Sequence, residues 1–262
     1  SGIVPCGTTG ESPTLSESEH LQVIRTCIDG ANGKSLVIAG TGANSTTEAL
    51  SLTQAADDAG ADAFLLVAPY YNKPSQEGLF AHFSALAEST EKPIVLYSIP
   101  SRCGIEISTE VVCRLREKYP HVCALKEAGG RSSKVSETLI SIDENFVVLS
   151  GDDGLTLPFM ACGAKGVVSV ASNLIPELVT ELVNLALVGD YERARKIHLS
   201  NYQLFTDLFC EPNPVPVKTL MQMKGLIESS EVRSPLIAAS SANHNLLKEL
   251  GSKLSIPERI VS

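Results

Sequence analysis

Residues 63–68 have the sequence Ala-Phe-Leu-Leu-Val-Ala, which is apolar at every position. Because successive side chains of a strand point to opposite faces of a sheet, an uninterrupted apolar run of this length predicts a strand that is covered on both faces. Residues 44–60 before it and residues 75–90 after it show the spacing of amphipathic helices. A buried strand between two helices is typical of the βαβ units of a parallel sheet.

Short apolar segments alternate with helical stretches through most of the chain. Seven strands are predicted, at residues 2–6, 36–40, 63–68, 93–98, 122–128, 146–151 and 166–171. From residue 176 onward the sequence predicts only helices, at residues 176–188, 190–209, 215–227 and 243–250. We therefore expect two domains, a catalytic domain at residues 1–188 and a C-terminal helical domain at residues 189–262.

The number of predicted strands bears on the type of sheet. A (β/α)8 TIM barrel closes only with eight strands, and residue 2 already lies in the first predicted strand. The simplest interpretation is an α/β fold of the (β/α)8 TIM-barrel type whose first βα unit, about 30 residues long, is missing from this chain. An open, doubly wound sheet of seven strands is the alternative.

Composition excludes several functional classes. The 21 Lys and Arg residues against 30 Asp and Glu leave a net charge of −9, which argues against a nucleic-acid partner. The longest apolar block, at residues 63–69, is far shorter than the roughly 20 residues that cross a membrane, and the start of the sequence has no signal-peptide pattern. The seven cysteines have no C-x-x-C spacing, which favours reduced thiols and a cytoplasmic location.

The sequence offers no pattern for a metal or a nucleotide cofactor. Its five histidines lack the spacing of zinc ligands. The Gly-Lys-Ser at residues 33–35 lacks the earlier glycine of a P-loop, and the Gly-Thr-Gly at residues 40–42 lacks the third glycine of a dinucleotide fingerprint. We therefore expect neither a metal ion nor a cofactor.

Polar side chains follow four of the predicted strands. The segments are Gly7-Thr8-Thr9-Gly10-Glu11, Pro69-Tyr70-Tyr71-Asn72, Tyr97 with Pro100-Ser101-Arg102, and Lys126. In a barrel the functional groups gather at the carboxyl ends of the strands, so we expect these four groups to converge.

Lys126 is the most informative of these residues. Alternation along the strand places Lys126 on one face with Ala124, and Leu125 on the other. Desolvation at that position lowers the pKa of an amine and frees its lone pair, as Schiff-base chemistry on a carbonyl requires. The alternative is a structural lysine that extends to solvent or pairs with an internal carboxylate.

The other strand-end residues each have a functional and a structural interpretation. Tyr97 and Tyr71 are either packing residues or proton carriers, with Thr8 or Thr9 as a hydroxyl bridge between them. Arg102 is suited to a substrate carboxylate, or else forms a salt bridge at the rim.

These segments, together with one near the end of the chain, resemble the dihydrodipicolinate synthase family of the pyruvate-dependent class I aldolases, the N-acetylneuraminate lyase superfamily. The resemblance rests on residues 7–12 (Gly-Thr-Thr-Gly-Glu-Ser), 69–74 (Pro-Tyr-Tyr-Asn-Lys-Pro), 97–102 (Tyr-Ser-Ile-Pro-Ser-Arg), 125–128 (Leu-Lys-Glu-Ala) and 211–218 (Glu-Pro-Asn-Pro-Val-Pro-Val-Lys). It runs in order from residue 2 to about residue 240.

The resemblance implies a lyase of lysine biosynthesis that uses no metal. Lys126 would form an imine with pyruvate, and the derived enamine would add to L-aspartate 4-semialdehyde to give 4-hydroxy-tetrahydrodipicolinate. This is the first committed step of the diaminopimelate route to L-lysine.

The resemblance also implies roles for the remaining site residues. Tyr97, Thr9 and the Tyr71 of a neighbouring subunit would relay protons, and Thr8 with Thr9 would hold the carboxylate of pyruvate. Arg102 would orient the carboxylate of the semialdehyde. The positions that match the lining of the pyruvate pocket are Gly151 and Val168.

Feedback inhibition by L-lysine and a homotetramer built from dimers are further implications of the resemblance. The positions that match the family's lysine site are Ser12, Pro13, Glu17, His20, Asn44, Glu48 and Tyr70. Pro13 stands where an alanine is common and Glu17 where many sensitive enzymes carry histidine, so we expect inhibition of altered strength. The alternative is that these residues form a polar seam between subunits.

Two other functions remain open from the sequence. One is another pyruvate-dependent aldolase, such as an N-acetylneuraminate or 2-keto-3-deoxy-sugar-acid lyase, against which the cation of Arg102 argues. The other is a catalytically silent barrel that binds small keto acids as a sensor.

Overall fold

The computed structural model describes residues 2–254 and contains a parallel sheet whose six strands lie side by side in chain order. The strands are β1 (Gly2–Ile3), β2 (Leu36–Gly40), β3 (Ala63–Val67), β4 (Ile94–Ser98), β5 (Val122–Glu127) and β6 (Val147–Ser150). Every neighbouring pair is parallel. This order never reverses, whereas a doubly wound sheet has a point where the strand order reverses.

Helices connect the strands and make up the rest of the regular structure. They are α1 (Glu17–Ala31), α2 (Thr46–Asp58), α3 (Gln76–Ala87), α4 (Pro100–Cys103), α5 (Thr109–Lys118), α6 (Ser132–Leu139), α7 (Thr156–Ala161), α8 (Pro176–Leu187), α9 (Tyr191–Asp207), α10 (Val215–Met223) and α11 (Ser241–Lys253). Serine side chains cap several helix starts. At α1, the Ser16 hydroxyl accepts from the Glu19 amide, and the Glu19 carboxylate accepts from the Ser16 amide. No helix in the described part of the chain has the length and apolar character needed to cross a membrane.

The prediction of a seventh strand at residues 166–171 is wrong. The segment bonds to β6 through its backbone, as Ser150 donates to Gly166 and Val168 donates to Ser150, but it forms only one isolated bridge. After Val168 the Ser169 hydroxyl accepts from the Ser172 amide, and the chain turns into a short 3-10 helix. Side-chain capping of this kind competes with a sheet ladder.

The first strand is also shorter than the predicted residues 2–6. Pro5 has no amide hydrogen to donate to a ladder, and Cys6 has a left-handed backbone with φ 55°. The Pro5 carbonyl still accepts from the Gly40 amide at 2.9 Å. The segment therefore stays beside β2 but is no longer a strand.

The chain forms two compact units. One comprises the residues up to Gly7 and Leu15–Val168, and so holds the whole sheet; the other comprises Thr8–Thr14 and the described chain from Ser169 onward. In the second unit α8 packs against α9, and α10 against α11. The division into a catalytic domain ending at residue 188 and a helical domain stays a prediction.

The core of the first unit includes the alternating residues of neighbouring strands. Leu65, Val95, Tyr97 and Ala124 form one buried cluster on one face of β3, β4 and β5. The positions between them, among them Leu125, are fully buried on the other face. Lys126 is two residues after Ala124 on β5, so its side chain lies on the same face of the sheet, next to this cluster.

Candidate active site

Lys126 lies against Tyr97 at the carboxyl ends of two neighbouring strands. The two residues are paired in the register of β5 with β4. The Lys126 Nζ is 3.9 Å from the centroid of the Tyr97 ring, and the two residues are 9% and 5% exposed. An amine held against a ring face in a buried position experiences both desolvation and a cation–π attraction.

Burial changes the protonation of Lys126. Desolvation lowers the pKa of its amine to about 8, with the nearby Asp153 opposing the shift and Arg102 adding to it. At neutral pH about a tenth of the amine is then uncharged, several hundred times more than for an exposed lysine. The arrangement can therefore supply the nucleophile that imine formation needs.

Gly151 keeps space open beside Lys126. The Gly151 amide donates to the Glu127 carbonyl at 2.8 Å, which places it next to the end of β5. A Cβ at this position would be 2.7 Å from the Cβ of Ala128 and 3.1 Å from the Cε of Lys126. Val168 lies in the later segment that bridges to β6, and its amide donates to the Ser150 carbonyl at 2.9 Å. Both predicted pocket residues thus lie at the ends of the last strand segments.

Arg102 is exposed on α4, the short helix that begins directly after β4. The helix is held to the neighbouring loop by the Cys103 thiol, which donates to the Ala68 carbonyl at 3.2 Å. The positive charge of Arg102 lowers the pKa of the Lys126 amine. The structure therefore brings Lys126, Tyr97, Arg102 and Gly151 together in the first unit.

Tyr71 does not pack in the core of its own chain. Its side chain is 89% exposed, and its backbone is left-handed with φ 74°. The next residue holds the loop, since the Asn72 amide group donates to the Asn44 carbonyl at 2.9 Å. A strained, exposed tyrosine fits a functional interpretation better than a packing one.

Thr8 and Thr9 belong to the second unit. The Thr8 carbonyl accepts from the Glu11 amide at 3.0 Å, and the Thr9 hydroxyl accepts from the Asn213 amide group at 2.9 Å. The Glu11 carboxylate forms a salt bridge of 2.8 Å with Lys218. The loop is therefore held by residues about 200 positions later in the chain, a contact that motif spacing cannot reveal.

Two buried carboxyl groups near Lys126 were not singled out from the sequence. Asp153 is 3% exposed, and Glu127 is fully buried next to Lys126 along β5. Burial raises the pKa of Glu127 to about 7, although the hydrogen bond that its carboxyl group accepts from the Gly129 amide acts to lower it. The only sequence signals are a carboxyl group directly after the strand lysine and an Asp-Asp pair after β6.

The predicted lysine-site residues fall in both units. In the first unit, the His20 ring bonds to the Gly40 carbonyl at 2.7 Å. The charge of Glu48 acts on both His20 and Tyr70, whose hydroxyl bonds to the backbone of Asn44. Desolvation lowers the pKa of His20 and raises that of Tyr70.

Glu17 and His20 line a small cavity between α1 and α2. Ser12 and Pro13 lie in a 3-10 helix of the second unit. Residues 2–254 contain no group of three or more His, Cys, Asp or Glu side chains that could hold a metal ion.

The chain matches one protein family over nearly its whole length. The model of the dihydrodipicolinate synthetase family covers residues 1–253. The 4-hydroxy-tetrahydrodipicolinate synthase of Sulfurihydrogenibium sp. (strain YO3AOP1) is 51% identical over 254 residues, which are 97% of this chain and 87% of that protein.

Solved structures give the same result. The dihydrodipicolinate synthase of Aquifex aeolicus superposes with a TM-score of 0.96 at 48% identity, covering 98% of this chain and 88% of the other. The 4-hydroxy-tetrahydrodipicolinate synthase of Methylacidiphilum fumariolicum SolV gives 0.94 at 52% identity, with 96% and 83% covered. These matches confirm the resemblance found in the sequence motifs, and the chain belongs to the dihydrodipicolinate synthetase family.

Proposed function

We propose that this chain condenses pyruvate with L-aspartate 4-semialdehyde to give 4-hydroxy-tetrahydrodipicolinate, the first committed step of the diaminopimelate route to L-lysine. The observation that carries the proposal is the buried amine of Lys126 against Tyr97, with its pKa lowered to about 8. The relatives that share about half of the sequence bear the name of this activity. A related synthase from Acinetobacter baumannii, 42% identical to this chain, is complexed with pyruvate.

The chemistry begins on the amine. The uncharged Nζ of Lys126 adds to the ketone carbon of pyruvate, and loss of one water gives the iminium ion. Removal of a methyl proton gives an enamine, whose carbon attacks the aldehyde of the semialdehyde. The amino group of the semialdehyde then attacks the imine carbon, which closes the ring and releases Lys126. One water leaves per product formed, so the reaction balances.

The proton transfers are assigned to hydroxyl groups. The contact of the Tyr97 ring with the Lys126 amine supports this role for Tyr97. Thr9 takes part with it, as its place in the family's motif implies. The exposed phenol of Tyr71 is available to a second copy of the chain, and would complete the relay there. Such a relay contributes about 10²–10⁴-fold to the rate.

Substrate binding uses the remaining residues of the site. Thr8 and Thr9 hold the carboxylate of pyruvate, whose pocket Gly151 and Val168 line. Arg102 binds the carboxylate of the semialdehyde, a role that its exposed position on α4 supports. A short carboxylate substrate distinguishes this activity from that of the sugar-acid lyases, which bind a polyol.

The finer features of the fold are part of the same proposal. The six strands form part of a (β/α)8 barrel, which their parallel, consecutive order supports. The catalytic domain extends to residue 188 and a helical domain follows it. All seven cysteines, at positions 6–210, are free of disulfides, which fits a cytoplasmic location.

Assembly and regulation follow from the resemblance. We infer a homotetramer built from dimers, in which Tyr71 reaches a neighbouring active site, and inhibition by L-lysine. A related synthase from Cyanidioschyzon merolae, 38% identical, has lysine bound. Proximity of His20, Glu48 and Tyr70 supports a lysine site, because a carboxylate and a phenol can bind an ammonium group. If millimolar L-lysine left initial rates unchanged, the regulatory part would be wrong.

The proposal is tested by trapping the imine. Borohydride reduction in the presence of pyruvate is expected to attach pyruvate covalently to Lys126, which peptide mass spectrometry locates, and the Lys126→Met variant serves as control. Absence of the adduct from the wild-type chain would overturn the enzyme function. A second assay compares condensation with the semialdehyde against cleavage of N-acetylneuraminate and 2-keto-3-deoxy-sugar acids. Activity only in the cleavage assays would overturn the substrate assignment.

A further inference from the structure

Arg102 is carried by a helix of only four residues. α4 comprises Pro100–Cys103 and has no side-chain cap at its start. A helix this short is unstable by itself, because forming its first turn fixes several backbone dihedral angles for a single hydrogen bond. The place of α4, and with it that of Arg102, must therefore come from contacts with the rest of the first unit.

Cys103 ties α4 to the carboxyl ends of two strands. It is 1% exposed, and its thiol donates to the Ala68 carbonyl at 3.2 Å. Ala68 directly follows β3, and its amide donates to the Tyr97 carbonyl on β4 at 2.9 Å. Ala68 is thus bonded through its amide to β4 and through its carbonyl to α4, next to the proposed active site.

Burial keeps the Cys103 thiol in its donor form. Desolvation raises the pKa of this thiol to about 11, although the charge of Arg102 acts to lower it. The thiol therefore keeps its proton at neutral pH and can donate it to a carbonyl. Ala68 is fully buried, where a carbonyl that loses its donor is costly. Removing the donor should therefore displace α4 or admit water between the two segments.

The other end of α4 has a looser contact. Gly104 ends the helix with a left-handed φ of 73°, and its amide donates to the Pro100 carbonyl. A Cβ at Gly104 would be 2.6 Å from the Cε of Lys73, so the Lys73 stem lies against this turn. Lys73 is an exposed and flexible side chain, which can move with the helix. The bond of Cys103 is the buried and directional contact.

The position of Arg102 affects the reacting amine. Arg102 is exposed, and its guanidinium forms no salt bridge within residues 2–254. Its charge lowers the pKa of the Lys126 amine, while the charge of Asp153 raises it. Because the interaction between charges weakens with distance, the pKa of Lys126 reports how close the guanidinium lies. A displacement of α4 is therefore measurable at Lys126.

We propose that Cys103 is a positioning residue, whose bond to the Ala68 carbonyl fixes α4 and so sets the distance from the guanidinium of Arg102 to the amine of Lys126. The inference rests on the proposed function, in which Arg102 binds the carboxylate of the semialdehyde. Cys103 touches neither substrate and acts only through the helix that carries Arg102.

A pair of variants with the same shape tests the bond. Cys103→Val and Cys103→Thr differ only in a hydroxyl group that can donate to the Ala68 carbonyl. We expect Cys103→Val to raise KM for the semialdehyde about tenfold, while KM for pyruvate stays near that of the wild type. Cys103→Thr should restore most of the affinity. Cys103→Ala, which adds no bulk to the buried position, should behave like Cys103→Val.

The second measurement needs no semialdehyde. Initial rates of borohydride trapping with pyruvate alone follow the protonation of Lys126. In Cys103→Val the profile should move to higher pH, in the same direction as in Arg102→Gln, because the guanidinium is no longer held in place. If Cys103 acts through Arg102, then Cys103→Val should cause no further shift in the Arg102→Gln background.

Cys113 on α5 provides the matched control. Its thiol donates to the Ser141 carbonyl at the same distance of 3.2 Å, away from α4. Cys113→Val should leave both measurements at their wild-type values. Unchanged KM values in Cys103→Val and Cys103→Ala, a Cys103→Thr variant as impaired as Cys103→Val, or the same effects from Cys113→Val would overturn the inference. Failure to trap an adduct on the wild-type chain would instead overturn the proposed function, so the two failures are distinguishable.

Discussion

The amine of Lys126 lies over the ring of Tyr97, with Nζ 3.9 Å from the ring centroid. Two effects oppose each other there, because the ring face favours the cation while burial disfavours it. The pKa falls from 10.5 to about 8, which corresponds to about 3 kcal/mol against the charged form. A cation–π contact contributes roughly 0.5–2 kcal/mol in the other direction. Desolvation therefore wins, and the uncharged, nucleophilic fraction of the amine is larger than in an exposed lysine.

The rate of imine formation should rise with pH through about 8, because only the uncharged amine attacks pyruvate. Removing Arg102, whose charge lowers this pKa, should move the profile to higher pH. The charge of Asp153 raises the pKa of Lys126, so removing that charge should move the profile to lower pH. Initial rates of borohydride trapping for Arg102→Gln and Asp153→Asn measure both shifts. Shifts in the same direction would contradict this electrostatic account.

Replacing the buried amine should stabilise the fold while abolishing activity. The folded pKa of Lys126, about 8, is below its ordinary 10.5, so the unfolded chain binds more protons between these values. Burying the amine therefore lowers the free energy of unfolding by its full amount below pH 8, and this destabilisation decreases as the pH rises toward 10.5. We expect Lys126→Met to raise the free energy of unfolding by about 1–3 kcal/mol at pH 7. Urea denaturation measures this, and the exposed Lys165 offers Lys165→Met as a control without effect.

Glu127 should make stability fall as the pH rises. Its folded pKa of about 7 is above the ordinary 4.5, so the folded chain binds more protons between these values. Its contribution is fully present below pH 4.5 and is lost as the pH rises through 7. The Glu127→Gln variant keeps an oxygen for the Gly129 amide and cannot ionise. Its stability relative to the wild type should increase between pH 5 and pH 8, as denaturation across that range would reveal; a constant difference would contradict the assignment.

Gly151→Ala should impair the reaction through crowding. The added Cβ would meet the Cβ of Ala128 at 2.7 Å and the Cε of Lys126 at 3.1 Å, so the amine must shift. We expect kcat/KM for pyruvate to fall about tenfold or more. In Gly30→Ala, on α1, the Cβ meets nothing within 4 Å, and the helix should gain about 0.5–1 kcal/mol with unchanged kinetics. Equal kinetics for both variants would count against the proposed pocket.

Local sequence was sufficient to predict most of the sheet and to single out the buried Lys126. Strand β2 has the predicted limits of 36–40, and β5 ends at Glu127, one residue before the prediction. Strands covered on both faces leave an uninterrupted apolar pattern, which is local and therefore visible in the sequence. The same alternation made Lys126 conspicuous, because a lysine interrupts an otherwise apolar strand.

The errors occurred where backbone chemistry ended a strand. Pro5 and Cys6 cut the first strand short, and the turn at Ser169 ended the last segment after a single bridge. Apolar side chains at these positions resemble those of a strand, whereas pairing depends on which amides can donate to a neighbour. That neighbour is supplied by another part of the chain.

The sequence by itself determined the parallel α/β architecture and the family, and it singled out Lys126 as the candidate nucleophile, because these depend on side-chain patterns within short segments. Only the tertiary structure decided which groups surround Lys126 and which residue bonds to the Thr9 hydroxyl. The Lys126 amine contacts Tyr97 of β4, and its pKa responds to the charges of Arg102 on α4 and Asp153 after β6. The bond from Asn213 joins residues 204 positions apart. Such contacts form only when distant segments pack together, so no local pattern encodes them.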